Sequence, residues 1–231
     1  MNSVFVTGTD TGVGKTVLTA AICAASGATP MKPVQTGSME AEDLAFVVAT
    51  TGRSVPAQLA CPYRFADPLA PAVAARRAGE DIDVEYLVQC YKQLSRSGAV
   101  VVEGAGGILV EVRDGMSMAD LARLLDLPVV IACRPGLGTL NHSALTVEAA
   151  RSRGLEILGL VIVGWGADAS AAAVTNPPEL ARIAPVVGVI PHIDGLDTEH
   201  RHPMALGKFA AEFLSPALGG SFDADDFLAK F

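Results

Sequence analysis

Nine residues near the start of the chain, Gly8-Thr9-Asp10-Thr11-Gly12-Val13-Gly14-Lys15-Thr16, constrain its fold more than any other segment. An apolar run at residues 4–6 precedes them, and a run with helical character at residues 17–25 follows them. A glycine-rich loop between a strand and a helix, ending in Gly-Lys-Thr, is typical of phosphate-binding loops, in which backbone N–H groups surround a phosphate. The sequence therefore predicts a nucleotide site in which Lys15 reaches the β- and γ-phosphates and the Thr16 hydroxyl ligates Mg²⁺.

The composition argues against several other classes of function. A formal net charge of −8 disfavours a nucleic-acid or anionic membrane partner, so an anionic ligand must be held by a local positive site. No run of eighteen apolar residues occurs, which predicts no transmembrane helix, and the direct entry into a strand predicts no signal peptide. We expect one cytoplasmic domain spanning residues 1–231.

The cysteines and histidines show no metal-binding pattern. The cysteines are scattered without a Cys-x-x-Cys pair, which predicts small core residues of a reducing compartment rather than disulfides or a zinc site. Two of the histidines are two positions apart, which on a loop is more often a solvated pair than a ligand set. The residues considered are Cys23, Cys61, Cys90, Cys133, His142, His192, His200 and His202.

The order of apolar and helical segments predicts the fold class. Apolar runs without polar alternation predict buried parallel strands at residues 4–7, 99–102, 129–132, 160–163 and 186–190. Helical patterns lie at residues 15–25, 41–51, 84–95, 141–152 and 204–214, and the proline-containing residues 62–78 are predicted to be a loop. We therefore predict an α/β fold of the P-loop NTPase type, with a doubly wound, mostly parallel sheet, helices on both faces and ligands at the carboxyl ends of the strands.

Three further segments carry candidate site residues. Pro33 biases Lys32 toward extended backbone, so Lys32 is expected to end a short strand beside the first strand and to direct a second ammonium group at the phosphates; a surface lysine is the alternative. Residues 100–102 resemble a Walker-B strand that delivers the Glu103 carboxylate to Mg²⁺. Residues 136–142 offer backbone N–H groups to an anion, or are simply a helix start capped by Thr139 or Asn141.

The four segments, taken together and in this order, resemble the dethiobiotin synthetases. That family is similar in its loop, Gly-Thr-Asp-Thr-x-Val-Gly-Lys-Thr, and in the later motifs Lys-Pro-Val-x-Ser/Thr-Gly, Val-Glu-Gly-Ala-Gly-Gly and Gly-x-x-Asn-His. The resemblance is clear over residues 4–142 and continues more weakly to Pro191. It implies a homodimeric ligase that uses ATP and Mg²⁺ to close the ureido ring of dethiobiotin from 7,8-diaminononanoate and CO₂ or bicarbonate, through a carbamate and a carbamic–phosphoric anhydride.

The same resemblance implies a role for each matching residue. It assigns catalysis to Lys15 and Lys32, and Mg²⁺ to Thr16, Asp43 and Glu103. It assigns substrate to Thr11, Lys32, Thr36 and Gly106 and, across the dimer interface, to Gly138, Thr139, Leu140 and Asn141. It assigns the nucleoside triphosphate to Gly12, Val13, Gly14, Lys15, Thr16, Val17, Glu103, Gly164, Pro191 and Ile193.

The chain also departs from the family pattern. Gly12 stands where a Glu is often found, and residues 163–165 replace an Asn that reads adenine, so weak or altered base selectivity is expected. The interval from Lys15 to Lys32 is short, which predicts a first helix about one turn shorter than in the family. The remaining alternatives are another P-loop amidoligase and a nucleotide-dependent switch. Partition and septum-placement ATPases carry a Lys where this chain has Asp10 and Thr11, which argues against that branch of P-loop ATPases.

Overall fold

The computed structural model describes residues 1–166, 170–193 and 203–231. Its strands are β1 Val4–Gly8, β2 Thr29–Met31, β3 Val34–Thr36, β4 Tyr63–Phe65, β5 Val100–Glu103, β6 Glu111–Arg113, β7 Met116–Ser117, β8 Val129–Cys133, β9 Ile157–Trp165 and β10 Val186–Pro191. Its helices are α1 Lys15–Ser26, α2 Glu42–Thr51, α3 Ala57–Ala60, α4 Pro71–Ala78, α5 Val84–Leu94, α6 Met118–Leu124, α7 Thr139–Arg151, α8 Ala171–Ile183, α9 Pro203–Phe209 and α10 Ala224–Leu228. Short 3₁₀ turns at Ser95–Ser97, Ala210–Phe213 and Pro216–Leu218 complete the described elements.

The predicted parallel α/β fold is confirmed. In the described residues the central sheet has six strands in the order β10-β9-β8-β1-β5-β2, and every pair is parallel. β1 therefore lies inside the sheet, with β8 on one side and β5 on the other. The carboxyl ends of these three strands meet at one edge, which is where ligands bind in sheets of this kind.

The sheet is buried on both faces, as the unbroken apolar runs predicted. Successive side chains of a strand point to opposite faces, and Phe5 accordingly packs in one apolar cluster while Val4 and Val6 pack in another. Helices α1, α2 and α9 cover the face of Val4 and Val6, and α5 and α6 cover the face of Phe5. This two-sided burial fixes β1 and so fixes the loop that follows it.

Two local predictions are wrong, and one long helix was not predicted at all. Residues 62–78 are not a loop but contain β4 and α4, because Pro71 stands at the first turn of α4, where a missing N–H is harmless. Helix α8 was not predicted because Pro177 and Pro178 lie inside it and read as breakers. The predicted helix at residues 204–214 ends at Phe209 and continues as a 3₁₀ turn.

The strand before Lys32 also differs from its prediction. β2 ends at Met31, one residue before the predicted end at Lys32, and it pairs with β5 and not with β1. β5 therefore lies between the Lys32 strand and the loop strand, and it ends with Glu103 between the two lysines in the order of strands.

Candidate active site

The loop between β1 and α1 is held by its glycines and by the neighbouring strand. Gly14, the residue before α1, has φ 92°, a left-handed conformation that favours glycine. A β-carbon there would lie 2.5 Å from Cγ1 of Val163, so the site also lacks room for a side chain. The N–H of Thr9 donates to the carbonyl of Ala132 at 3.0 Å, which attaches the loop to β8.

A cavity of about 380 Å³ lies beside this loop at the carboxyl ends of β1 and β5. Its walls come from the loop, the start of α1, the segment after β2, the first turn of α2 and the segment after β5. The lining residues are Thr11, Gly12, Gly14, Lys15, Thr16, Val17, Lys32, Val34, Gln35, Thr36, Asp43, Glu103, Ala105 and Gly106.

Lys32 is the centre of a buried charge network in this cavity. Its Nζ lies 2.7 Å from Oε1 of Glu103 and 2.7 Å from Oδ2 of Asp43. Burial disfavours the ammonium charge, but the two carboxylates outweigh burial and raise the pKa of Lys32. The same contact lowers the pKa of Asp43 against the opposing effect of burial. Lys32 and Asp43 are therefore both charged at neutral pH.

Thr16 joins the two carboxylates from the loop side. Its hydroxyl donates to Oε1 of Glu103 at 2.9 Å and lies against the Asp43 carboxylate. One hydroxyl and two carboxylates thus converge on one point, and hard oxygen donors of this kind suit Mg²⁺. This donor set fits the metal that the sequence predicted.

Lys15 is also buried, and no carboxylate of the described residues is in direct contact with its ammonium group. Its Nζ donates to the carbonyl oxygen of Asp10 at 3.0 Å. Burial lowers the pKa of Lys15 to about 8, because desolvation outweighs the attraction of Glu103, and the nearby Lys32 lowers it further. A buried, under-neutralised ammonium group is suited to receive an anion.

The structure brings most of the predicted site residues together. Those of the loop, of α1 and of the segments after β2 and β5 line the cavity, whereas Val13 is buried beneath the loop. Gly164, Pro191 and Ile193 lie at the ends of β9 and β10, outside the cavity lining. Gly138, Thr139, Leu140 and Asn141 form the start of α7 and are also outside that lining.

The start of α7 differs in detail from its prediction. The helix begins at Thr139, two residues before the predicted start, and its N-cap is Gly138 with φ 91°, so the alternative caps Thr139 and Asn141 are wrong. Asn141 is exposed, and so are Leu137 just before the helix and Leu145 one turn further on. Exposed apolar side chains therefore lie on either side of these backbone donors in the sequence.

The carboxyl ends of β9 and β10 meet beside Gly14. The N–H of His192 donates to the carbonyl of Trp165 at 2.7 Å, which ties the two strand ends together. The Trp165 ring makes edge contacts with Phe227 and Phe231, at centroid distances of 5.5 and 5.7 Å. Helix α10 and Phe231 thus pack against Trp165, one of the three residues 163–165 that depart from the sequence pattern described above.

Three residues of the cavity were not predicted as site residues, namely Val34, Gln35 and Ala105. Each lies within two positions of a predicted residue in the sequence, but an apolar or amide side chain carries no motif signal of its own. The side-chain oxygen of Gln35 is buried without a hydrogen-bond partner among the described residues.

The remaining sequence predictions concern metals and membranes. All four cysteines are buried free thiols in the described part of the chain, and within the same part no group of three or more His, Cys, Asp or Glu residues is arranged for a metal. No helix among the described residues is long and apolar enough to span a membrane. His200 and His202 lie outside the described residues.

Comparisons with solved structures identify the fold. The chain superposes on the septum site-determining protein MinD of Pyrococcus horikoshii, complexed with Mg-ADP, with a TM-score of 0.57, 16% identity and coverage of 92% of this chain and 96% of that one. It superposes on the MinC:MinD cell division protein complex of Aquifex aeolicus with a TM-score of 0.55, 17% identity and coverage of 96% and 98%. At this identity the likeness concerns the fold alone, which is that of P-loop NTPases.

Comparisons of sequence identify the family. A family model described as an AAA domain matches residues 2–200. The ATP-dependent dethiobiotin synthetase BioD of Anaeromyxobacter dehalogenans is 42% identical over 214 residues, which is 89% of each chain. That of Frankia casuarinae is 42% identical over 243 aligned positions, covering 100% of this chain and 99% of the relative. The chain therefore belongs to the family of ATP-dependent dethiobiotin synthetases and is an ATP-binding ligase of biotin biosynthesis.

Proposed function

We propose that this chain closes the ureido ring of dethiobiotin from 7,8-diaminononanoate and CO₂ with ATP as co-substrate. The observation that carries the proposal is a cavity in which two buried lysines, Lys15 and Lys32, lie together with the Glu103 and Asp43 carboxylates and the Thr16 hydroxyl. A phosphoryl transfer needs positive charge around the phosphate and a bound metal at its edge, and this cavity offers residues for both.

The proposed reaction has three steps. One amine of the diamine adds to the carbon of CO₂ and loses a proton, which gives a carbamate. A carbamate oxygen attacks the γ-phosphorus and ADP leaves, which gives a carbamic–phosphoric anhydride. The second amine attacks the carbamate carbon, phosphate leaves with the C–O bond electrons, and loss of a proton completes the ring. Phosphorylation is needed because a carbamate oxygen is otherwise a poor leaving group.

The lysines have distinct parts in this scheme. Lys15, whose Nζ lies at the phosphate loop and donates to the carbonyl of Asp10, serves the β- and γ-phosphates. Lys32 is held between two carboxylates and lies where the carbamate meets the γ-phosphate. The Thr11 and Thr36 side chains and the Gly106 backbone, which line the same cavity, orient the carbamate. The protein acts by positioning and charge neutralisation.

Thr16, Asp43 and Glu103 are the proposed Mg²⁺ residues. When bound, Mg²⁺ supplies positive charge to the phosphate oxygens. Asp43 and not its neighbour Glu42 is proposed, because Asp43 lines the cavity whereas Glu42 is exposed outside that lining. Asp43→Asn should raise the Mg²⁺ concentration needed for half-maximal activity at least tenfold, and Glu42→Gln should leave it within twofold. Equal responses of the two variants would remove Asp43 from the metal site.

The substrate carboxylate is proposed to bind at the start of α7 from the partner subunit of a homodimer. The first N–H groups of a helix suit an anion, and residues 138–141 present them beside exposed leucines. Leu137 is 94% exposed and Leu145 is 57% exposed, which is apolar surface that a second copy would cover. The nucleotide base is proposed to lie near Gly164, Pro191 and Ile193. The reduced, buried cysteines favour a cytoplasmic setting for this activity.

Phosphate release tests the proposed function directly. Phosphate should appear from ATP only when 7,8-diaminononanoate and bicarbonate are both present, and dethiobiotin should form in equal amount. A nucleotide-dependent switch would hydrolyse ATP without them, and another amidoligase would require a different acid and amine. Release of phosphate that is independent of the diamine would contradict the proposal.

A further inference from the structure

Arg134 is a cation at the phosphate loop that no part of the mechanism above uses. It follows β8 directly and reaches across to the loop after β1. Its Nη2 donates to the carbonyl oxygen of Thr11 at 3.1 Å and lies 3.9 Å from Oδ2 of Asp10. The Arg134 side chain is 55% exposed and does not line the cavity, so it contacts the loop from outside.

The contacted carbonyl belongs to the same peptide group as the Gly12 N–H. A trans peptide is planar, and its C=O and N–H bonds point in opposite directions. A donor that holds the Thr11 carbonyl toward Arg134 therefore holds the Gly12 N–H on the other side. Gly12 lines the cavity and Arg134 does not, so the outward carbonyl directs this N–H toward the proposed phosphate position.

The backbone freedom of Gly12 is the reason that its peptide group needs a restraint. It has φ 70°, in the region that glycine enters without strain, and glycine is the residue with the most freedom to leave any one conformation. A β-carbon at this position would lie 4.0 Å from Nη2 of Arg134, the one neighbour within 4 Å in the described structure. Arg134 thus lies beside the space that a side chain at position 12 would occupy.

The rest of the loop is held in a related way. The Thr11 N–H donates to Oδ1 of Asp10 at 2.7 Å, and the same carboxylate faces Arg134. Arg134 and Asp10 therefore restrain both peptide groups that flank Thr11. Two peptide groups beside the proposed phosphate position are thus held by side chains of the loop and of the residue after β8, and fixed donors of this kind are what preorganisation of an anion site requires.

We propose that Arg134 is a positioning residue that holds the Gly12 N–H in the orientation that binds the nucleotide phosphates. The proposal rests on the proposed placement of the phosphates in this loop. It differs from a direct role of the Arg134 charge, which would act on the phosphates through space and would be screened by salt.

The test compares Arg134→Met with Arg182→Met, since Arg182 is an exposed arginine on α8 paired with Glu179. A lost hydrogen bond from a charged donor corresponds to roughly a tenfold change. We expect Arg134→Met to raise the Kd of a non-hydrolysable ATP analogue and the KM of ATP about tenfold, with kcat and the KM of the diamine changed by less than about threefold. Arg182→Met should change none of these values by more than about twofold.

Three further readouts follow, of which the salt series separates positioning from charge and the Gly12 amide signal detects failure of the phosphate site itself. The Arg134→Met effect should persist between 50 and 500 mM KCl, and Arg134→Lys, which keeps a donor, should recover part of the affinity. In protein labelled with ¹⁵N-glycine, the Gly12 amide signal should shift on nucleotide binding in the parent chain and shift less in Arg134→Met. An unchanged Kd, or a loss that disappears at 500 mM KCl, would overturn the proposal. If the Gly12 amide signal of the parent chain does not shift when nucleotide binds, the proposed placement of the phosphates is refuted instead.

Discussion

The cavity beside the phosphate loop and the start of α7 are both anion sites by prediction, but they differ in how complete they are within one chain. In the cavity, Lys32, Glu103, Asp43 and Thr16 already satisfy one another at hydrogen-bond distances. At the start of α7, Asn141 is exposed and is bordered by exposed Leu137. The first region is assembled by the fold, whereas the second lacks a counterpart among the described residues of this chain.

The difference separates two ways of building a site. Buried charges are costly unless they are paired, so the cavity network has to form during folding and depends on strands that are distant in the sequence. A helix start needs no buried charge, because its N–H groups are polar without being ionised. Such a site can remain open until a second surface covers it. Variants of the cavity should therefore affect turnover, whereas variants at the start of α7 should affect dimer formation and the KM of the diamine.

The largest effect is expected in the cavity. Removing a preorganised donor that faces developing charge typically lowers turnover by ~10²–10³, so Lys15→Ala and Lys32→Ala should each lose at least that much. Lys92→Ala, at an exposed lysine of α5, is the matched control and should retain full turnover. Thermal melting has to accompany Lys32→Ala, because Glu103 and Asp43 lose their partner. A folded Lys32→Ala variant with near-normal turnover would remove Lys32 from the site.

A smaller and more selective effect is expected at the start of α7. If a second copy covers Leu145, then Leu145→Asp should convert a dimer into a monomer in sedimentation. It should also raise the KM of the diamine by roughly ten- to a hundredfold, since lost helix-end and interface contacts amount to about 1–3 kcal/mol. Affinity for an ATP analogue should stay within about twofold, because the cavity is complete in one chain.

Leu124→Asp is the control for this substitution. Leu124 is similarly exposed, at 53% against 57% for Leu145, but it lies on α6. It should leave both the dimer and the KM unchanged. A monomeric parent chain with full activity would contradict the shared site.

The sequence predicted the fold class and most residues that line the cavity, but it predicted the local elements around the cavity less well. The loop glycines, Lys32 and Glu103 carry their own signals, because the chemistry of a phosphate site demands those residue types at strand ends. The neighbour of β2 could not be read from the sequence, since strand order depends on crossovers between distant segments. Helix α8 was missed because its neighbours stabilise a helix despite Pro177 and Pro178, through burial of Leu180 and a cap at Ser170.

Site residues without a motif were missed for a similar reason. Arg134 reaches Thr11 only because β8 lies beside β1, a fact of strand order and not of sequence distance. Gln35 lines the cavity because β3 turns away from the sheet after Lys32. Asp43 is set apart from Glu42 by the rotation of α2, which directs one of two adjacent acids into the cavity.

A pH dependence should distinguish the two lysines of the cavity. Burial holds the pKa of Lys15 at about 8, below its usual value of 10.5, so the free protein loses this charge as the pH rises through about 8. Affinity for an ATP analogue should be constant from pH 6 to 7 and fall by up to about tenfold per pH unit above 8. Lys32, whose pKa is raised, contributes no such loss in this range.

The matched measurement for the pH effect uses the Lys15→Ala variant. The affinity of Lys15→Ala for the ATP analogue should be weaker and should show no step near pH 8. Nucleotide binding by the parent chain at pH 8 should take up protons, because the phosphates favour the charged form of Lys15. Calorimetry in buffers of different ionisation enthalpy measures this uptake. The sign for stability is the reverse: the lowered pKa means that folding is least favoured below pH 8 and gains as the pH rises toward 10.5. An affinity that is flat up to pH 9.5 would place Lys15 away from the phosphates.

The smallest difference is expected among nucleotides. Strong discrimination comes from buried polar groups that the wrong ligand leaves unpaired, and Val163, which packs against the position of Gly14, has no such group. Gly164 offers only backbone atoms, and Trp165 is engaged by edge contacts with Phe227 and Phe231. A ring that stacks on one base would in any case stack on the others, because every base presents a π-face. We therefore expect CTP or GTP to support turnover within about tenfold of ATP, equivalent to ~1.4 kcal/mol or less.

The test is a comparison of kcat/KM for the four nucleoside triphosphates. A preference for ATP above about a hundredfold would mean that another residue, such as one near Ile193, reads adenine.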